Sequence, residues 1–316
     1  MKRLAFALAA AVTAIAILTL TGFAFGHSPR ELLSVLITGS IGSRFALEGT
    51  LLKSVPLLLT GLSVAIAFRA GVWNIGAEGQ FIVGAVAALL ASRAGAIAAL
   101  LAAMLAGALW SSIATVMRLW RNAPEVLTTI LLNFIAINLL GWCVNGPLRE
   151  RAAMYPQTDR AFAELPKFGG FAIAITAAIG AWWLIYRTTE GLRLRATGFN
   201  PFASQWAGIN VRAQLARAMA ISGAAAGLAG GIELLAVSHR LFERFAAGYG
   251  YSGIAVALLA QLHPLATILS ALFFGALVTG AGELQRSANI SAAVATFGQA
   301  VVILVLIGFE HVRARR

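Results

Sequence analysis

Charge is scarce in this 316-residue chain. Asp, Glu, Lys and Arg make up 11% of it, against roughly a quarter in a soluble domain, while 59% is hydrophobic and the mean hydropathy is +0.84. That balance excludes an ordinary soluble fold and puts the chain in a bilayer. Cysteine occurs once, at Cys143, which rules out an intramolecular disulfide and a cysteine-based metal cluster; it reads as a packing residue. The four histidines, His27, His239, His263 and His311, show no H-x-x-x-H or H-E-x-x-H spacing, so no metal site is expected. A G-x-x-x-x-G-K-[ST] phosphate loop is missing from the sequence, so any ATP must be handled by another chain. There is also no Ser/Pro-rich linker and no hydrophilic block of soluble-domain size, and residues 1–316 read as one transmembrane domain.

Long apolar runs are abundant. A spanning helix needs about 20 mostly apolar residues, because the hydrocarbon core is about 30 Å thick and a helix rises about 1.5 Å per residue. About ten such runs occur, near Leu4–Phe25, Leu51–Phe68, Ile75–Ala91, Ala96–Met117, Val126–Val144, Phe168–Tyr186, Leu215–Val237, Tyr251–Leu262, Leu265–Gly282 and Ser291–Phe309. The eighth is too short to span comfortably. Unbroken Ala/Leu/Ile runs are the opposite of the short alternating segments of a barrel, so the fold class is all-α and polytopic. The first run is longer than a signal-peptide core and reads as a retained helix.

The net charge of +12 reads as a Lys/Arg excess on cytoplasmic flanks and not as nucleic-acid binding. Lys2, Arg3, Arg313, Arg315 and Arg316 put both termini in the cytoplasm, together with the loop at about 187–213. Arg149, Arg151, Arg160 and Lys167 then fall outside, against the rule. The polar connections His27–Thr50 and Arg187–Arg212 are expected to carry short surface helices. A loose echo between Gly71–Gln80 and Gly248–Pro264 hints at two discontinuous helices near mid-membrane.

Four clusters carry the functional reading. Asn74, Glu78 and Gln80 stand with Gly71, Gly76 and Gly79 between two apolar runs, and burying such groups in lipid without partners costs several kcal/mol each. Two readings stand for this segment: a broken helix beside a solute path, or a tight turn whose acidic residue stabilises the next helix. Asn133 lies about 12 Å beyond the helix start at Pro124-Glu125, as interhelical glue or as pathway lining. Asn200 as cap, Pro201 in the first turn and Gly208 at the stop describe a two-turn helix with Phe202 and Trp206 on one face. With Arg193 and Arg195 before it, this helix either docks in a partner's groove or lies on the lipid surface. Gly223, Gly227 and Gly231 form a flat ridge for close helix packing.

Gly250-Tyr251-Ser252-Gly253 matches the G-x-S-G of intramembrane serine proteases, with His263 as the base it would need within reach. A stand-alone secondary transporter is a further alternative, with Glu78 and Glu233 as its membrane-depth carboxylates.

Three of these stretches resemble the permeases of the branched-chain-amino-acid and simple-sugar type of bacterial ABC importers, in the branch associated with nucleosides. Gly71 to Gln80 is similar to that branch's G-x-x-N-I-G-x-E-G-Q signature, Glu125 to Asn133 to its E-V-x-x-T-x-x-L-N run, and Gly248 to Leu259 to its G-x-G-x-x-x-I-A-V-A-L-L run. The resemblance implies a non-enzymatic permease subunit in the bacterial inner membrane. It implies a nucleoside as cargo, with a simple sugar as alternative. Its partners would be an ABC ATPase that binds ATP and Mg, a second permease subunit, an extracytoplasmic solute-binding protein or lipoprotein, and the surrounding lipids. It also implies that Arg193, Arg195, Asn200, Phe202, Trp206 and Gly208 belong to the ATPase-coupling region, and that Asn74, Glu78, Gln80 and Asn133 line the substrate pathway. Ser204, Gln205 and Trp206 depart from the smaller residues common there.

Overall fold

The structure, a computed structural model, describes residues 28–287 together with Val12 and Ala16. Apart from Val12 and Ala16, the run Leu4–Phe25 lies outside the described residues, as do Ser291–Phe309 and both termini. Eleven α-helices occur among the described residues: α1 (Pro29–Ile41), α2 (Arg44–Arg69), α3 (Ala77–Ala91), α4 (Ala96–Arg121), α5 (Glu125–Asn145), α6 (Gly169–Arg187), α7 (Thr189–Phe199), α8 (Pro201–Trp206), α9 (Val211–Glu233), α10 (Tyr249–Leu259) and α11 (Ala266–Ser287). Extended pairing is limited, among the described residues, to the isolated bridges Arg149–Thr158 and Gln157–Phe242.

Among the described residues six helices are long and apolar enough to cross a membrane: α2, α4, α5, α6, α11 and α9 with the π-turn Leu234–Ser238 that prolongs it. They match six of the ten apolar runs. Two further runs are the short helices α3, with 15 residues, and α10, with 11. At about 1.5 Å per residue these reach roughly 22 and 16 Å, short of the hydrocarbon thickness. Both are too short to span alone and are called half-helices below. Of the two connections expected to carry surface helices, the first holds α1 and the second α7 and α8.

The helices start where short polar side chains satisfy their first amides. Ser43 caps α2 by accepting from the Ala46 N–H (3.0 Å), and Asn210 caps α9 by accepting from the Ala213 N–H (3.1 Å). Asn122, in the left-handed region at φ 51°, ends α4, and α5 begins one residue after Pro124, where Glu125 pairs with Arg118.

α9 is the centre of the bundle, packed on α2, α3 and α4. Lipid tails supply no hydrophobic drive between helices, so association rests on close packing, and α9 meets that demand with glycine. A Cβ on Gly227 would lie 2.2 Å from the Ala103 carbonyl oxygen of α4, and one on Gly223 would lie 2.4 Å from that of Gly107. Gly231 faces the Ala103 methyl, and Gly84 of α3 backs onto Gly227 from the other side. The ridge read from Gly223, Gly227 and Gly231 thus lies at a three-helix seam, where backbones approach with no side chain between them.

Candidate functional site: two half-helices joined inside the bundle

α2 ends at Arg69, and the chain re-enters the bundle as the non-helical stretch 71–76 before α3 begins at Ala77. Gly71 and Trp73 of this stretch are exposed, but its inner end lies inside the protein, where Asn74 meets Ser222, the twelfth residue of α9. An irregular backbone at this depth is tolerable only if its polar groups find partners. Asn74 supplies most of them. Its Nδ2 donates to Gln80 Oε1 (3.0 Å) and Ser222 Oγ (2.8 Å), and its Oδ1 accepts from Gln80 Nε2 (3.0 Å) and the Gly76 N–H (2.9 Å). Ser222 passes the network on to the Ser63 carbonyl of α2 (2.7 Å). From α5, Asn133 Oδ1 accepts from the Gly79 N–H (2.8 Å), while its Nδ2 donates to the Ile75 carbonyl (2.8 Å) and the Tyr251 hydroxyl (3.2 Å). Thr129 accepts from the Ile75 N–H (3.3 Å). Asn74, Gln80 and Asn133 are all buried.

Glu78 joins the two halves. It stands in the first turn of α3, and its carboxylate accepts from the Gly248 N–H (2.9 Å) and the Gly250 N–H (2.6 Å) at the start of α10. Gly248, the N-cap of α10, has no side chain with which to cap it. One buried carboxylate therefore satisfies the first amides of a helix 170 residues away and stands near the positive ends of two helices at once. The approach is close enough that a Cβ on Gly250 would lie 2.1 Å from the Glu78 nitrogen. Both sequence readings of this segment hold in part: the helix is broken, and its acidic residue stabilises a helix start, but that start belongs to α10 as well as α3.

Glu233 is also buried, at the last residue of α9. Ser252 lies in the first turn of α10, while His263 lies beyond the opposite end, stacked on Tyr186 at 5.1 Å. About 10 Å of helix, from Ser252 to Leu259, and the turn beyond it separate the two residues a serine protease would have to bring together. Among the described residues no three His, Cys, Asp or Glu side chains stand together as a metal site.

At the end of the bundle reached by the C-termini of α2, α4 and α6, α7 and α8 form a shelf. Asn200 caps α8 by accepting from the Ala203 N–H (3.0 Å), and Gly208 follows the helix at φ +78°. Phe202 (69% exposed) and Trp206 (80% exposed) stand edge to face, their centroids 6.1 Å apart. Arg195 lies over the Tyr186 ring at 5.1 Å. Arg193 donates to Glu190 Oε1 (2.6 Å), while Glu190 Oε2 accepts from Gln214 (2.9 Å) and Arg217 (2.6 Å), which ties α7 to α9.

The bond from Gln214, helped by Arg193 and Arg217, holds the Glu190 carboxyl below its ordinary value. A depressed folded pKa gives stability that is complete above the unfolded value, near 4.3, and is lost as pH falls through it toward the folded one. The purified protein should therefore melt earlier at pH 4 than at pH 7, and Glu190→Gln should reduce that difference; equal pH dependence in the two proteins would refute the assignment.

Ser63 and Ser222, which composition and spacing did not single out, complete the site with the amides of Gly248 and Gly250 and with Thr129, which bonds back to its own helix as its position suggests and also accepts from the Ile75 N–H. Serines within Ala/Gly-rich helices carry no local mark of a distant partner.

A multi-pass helical protein whose two half-helices meet inside the bundle has the build of a membrane transport component. The chain belongs to the family described as branched-chain amino acid transport system, permease component, which it matches over residues 46–309. It is 33% identical over 307 residues to the guanosine ABC transporter permease protein NupP of Bacillus subtilis, covering 91% of this chain and 88% of that protein. A glucose ABC transporter permease protein of Haloferax volcanii is 30% identical, covering 96% of this chain and 88% of that protein. The nucleoside ABC transporter permease protein NupB of Lactococcus lactis is 28% identical, covering 90% and 86%.

Proposed function

We propose that this chain is the permease subunit of an ATP-driven importer and forms the translocation path for a small polar solute, a nucleoside in the first instance. The likeness to a guanosine permease along 91% of the chain carries this reading. The glucose permease of Haloferax volcanii, alike over 96% of the chain, supports a simple sugar as the second reading. The single permease domain would have ten spans, both termini and the α7–α8 shelf in the cytoplasm, and the bacterial inner membrane as its home. ATP and Mg would be bound by an ABC ATPase subunit, and the chain would pair with a second permease and receive its solute from an extracytoplasmic binding protein.

In this reading Asn74, Glu78, Gln80 and Asn133 form the gate. Their polar groups satisfy one another when it is closed and exchange those partners for water and solute when it opens, which is alternating access by movement of packed elements. Asn200 and Gly208 bound the coupling helix, Phe202 and Trp206 are its docking face, and Arg193 and Arg195 hold the helix that carries it. An exposed pair of aromatic rings on a short capped helix fits a groove on another protein, where buried Trp and aromatic anchors dominate binding.

Reconstitution with the ATPase and binding protein tests both levels. ATP-dependent uptake of labelled guanosine, competed by other nucleosides and not by glucose, is expected; competition by glucose alone would select the sugar reading, and uptake without any ATPase would select a secondary transporter. Trp206→Glu should cost about 2 kcal/mol of docking, a roughly thirtyfold weaker ATPase affinity, with binding-protein affinity much less affected. Unchanged ATPase binding and transport in this variant would remove the docking role.

A further inference from the structure

We infer that Arg69 is the positioning residue through which the α7–α8 shelf acts on both half-helices. The inference rests on the permease reading above and adds to it the route by which an event at the shelf reaches the buried gate. Arg69 is the last residue of α2, immediately before the broken stretch that leads into α3. Its main chain lies directly against α7: a Cβ on Gly198 would sit 2.0 Å from the Arg69 carbonyl oxygen and 3.1 Å from the Ala70 carbonyl carbon. Gly71, at φ +76°, faces the same residue, with 3.2 Å from its would-be Cβ to the Gly198 Cα. The end of α7 is therefore seated on the start of the broken stretch with no side chain in between.

The Arg69 side chain reaches the other half-helix. Its Nε donates to the Leu262 carbonyl (3.1 Å) and its Nη2 to the Gln261 carbonyl (3.0 Å). Those carbonyls belong to two consecutive non-glycine residues in the left-handed region, φ 51° and 56°, just past the end of α10. Such residues persist only where their surroundings hold them, and the Arg69 guanidinium is one of the groups holding these. The ring of Tyr186 completes the junction, with the Arg69 guanidinium 6.0 Å and the Arg195 guanidinium 5.1 Å from its centroid and His263 stacked on it.

One residue thus stands at the outer end of the broken stretch, whose inner end leads into α3 and Glu78, and bonds the turn past the outer end of α10, whose inner end Glu78 caps. α10 is a stiff rod between two hydrogen-bonded ends, held by Arg69 at one and by Glu78 at the other. A shift of α7 presses on the backbone of residues 69–71 and, through Arg195, Tyr186 and Arg69, on the Gln261–Leu262 turn. Both half-helices are displaced together, and coupling needs such a physically contiguous element.

The test uses the full chain assembled with its ATPase and binding protein, in wild-type, Arg69→Gln, Arg69→Lys and Tyr186→Leu forms. Arg69→Gln should assemble and keep its basal ATP hydrolysis. Stimulation by loaded binding protein and solute uptake should each fall at least fivefold, so that more ATP is spent per solute moved. Arg69→Lys, which can still reach a carbonyl, should recover part of both. Tyr186→Leu leaves the Arg69–Leu262 bond in place and should lose stimulation to a lesser degree; it decides the matter should Arg69→Gln fail to assemble. Full stimulation and uptake in Arg69→Gln, or basal and stimulated rates falling in proportion with no recovery in Arg69→Lys, would overturn the inference and leave the permease reading intact. A wild-type complex without ATP-dependent uptake would overturn both.

Discussion

Glu78→Ala is expected to abolish transport and to destabilise the protein more than any other single polar substitution at the gate. The carboxylate accepts the Gly248 and Gly250 amides at the start of α10, and alanine leaves both buried without a partner. An unsatisfied buried donor costs about 1–3 kcal/mol, so the pair amounts to about 4 kcal/mol before the loss of favourable charge near two helix N-termini is added. Packing opposes the relaxation of such a helix start: Gly250 already lies against the Glu78 backbone, so α10 has little room to turn its amides elsewhere. Glu78→Gln keeps one acceptor oxygen but turns an NH2 group toward the second amide, and should fall between alanine and wild type. Thermal unfolding in detergent together with uptake in proteoliposomes measures both effects. An alanine variant that melts and transports like wild type would show that α10 does not depend on this cap.

Gly227→Ala should lower the amount of folded protein in the membrane severely, although it adds one methyl group. The new Cβ would stand 2.2 Å from the Ala103 carbonyl oxygen and 3.1 Å from the Gly107 Cα, so it meets backbone and not a side chain that can swing away. Helices α4 and α9 would have to separate by about 1 Å, which loosens the seam that α3 also shares. Overpacking of this kind costs about 1–3 kcal/mol and more where neighbours cannot move. Gly141→Ala is the control, because nothing lies within 4 Å of the position its methyl would take. Membrane abundance and melting temperature of the two variants are the readouts, and equal behaviour would mean that the seam can open at little cost.

Much of this site is legible in the order of residues. Asn74, Glu78, Gln80 and Asn133 stand out because polar groups are costly in hydrocarbon and each interrupts an apolar run. The short capped helix with Phe202 and Trp206 on one face is legible for a similar reason, since caps and stops are local chemistry. What these polar residues bind was not legible. Spacing alone pairs Glu78 with Asn74, four residues back on a continuous helix, but α3 begins only at Ala77, and Asn74 turns to Gln80 and Ser222 instead. Arg69 is not legible as a bond-former, because a basic residue at a helix end is an ordinary flank of a membrane span.

The sequence by itself determined that this protein is a bundle of apolar helices in a bilayer, that it carries no phosphate loop, and that two of its apolar stretches are broken or short. These are properties of about 20 consecutive residues, set by the cost of exposing amides and charges to lipid. Only the tertiary structure decided that the two half-helices meet at Glu78, that Gly227 is trapped between two helices, and that Arg69 joins the start of the broken stretch to the turn past α10 beneath α7. Each of these depends on which groups are brought together from segments up to nearly 200 residues apart. That proximity is set by how close glycine-lined helices can approach, a property of the packed pair and not of either sequence alone.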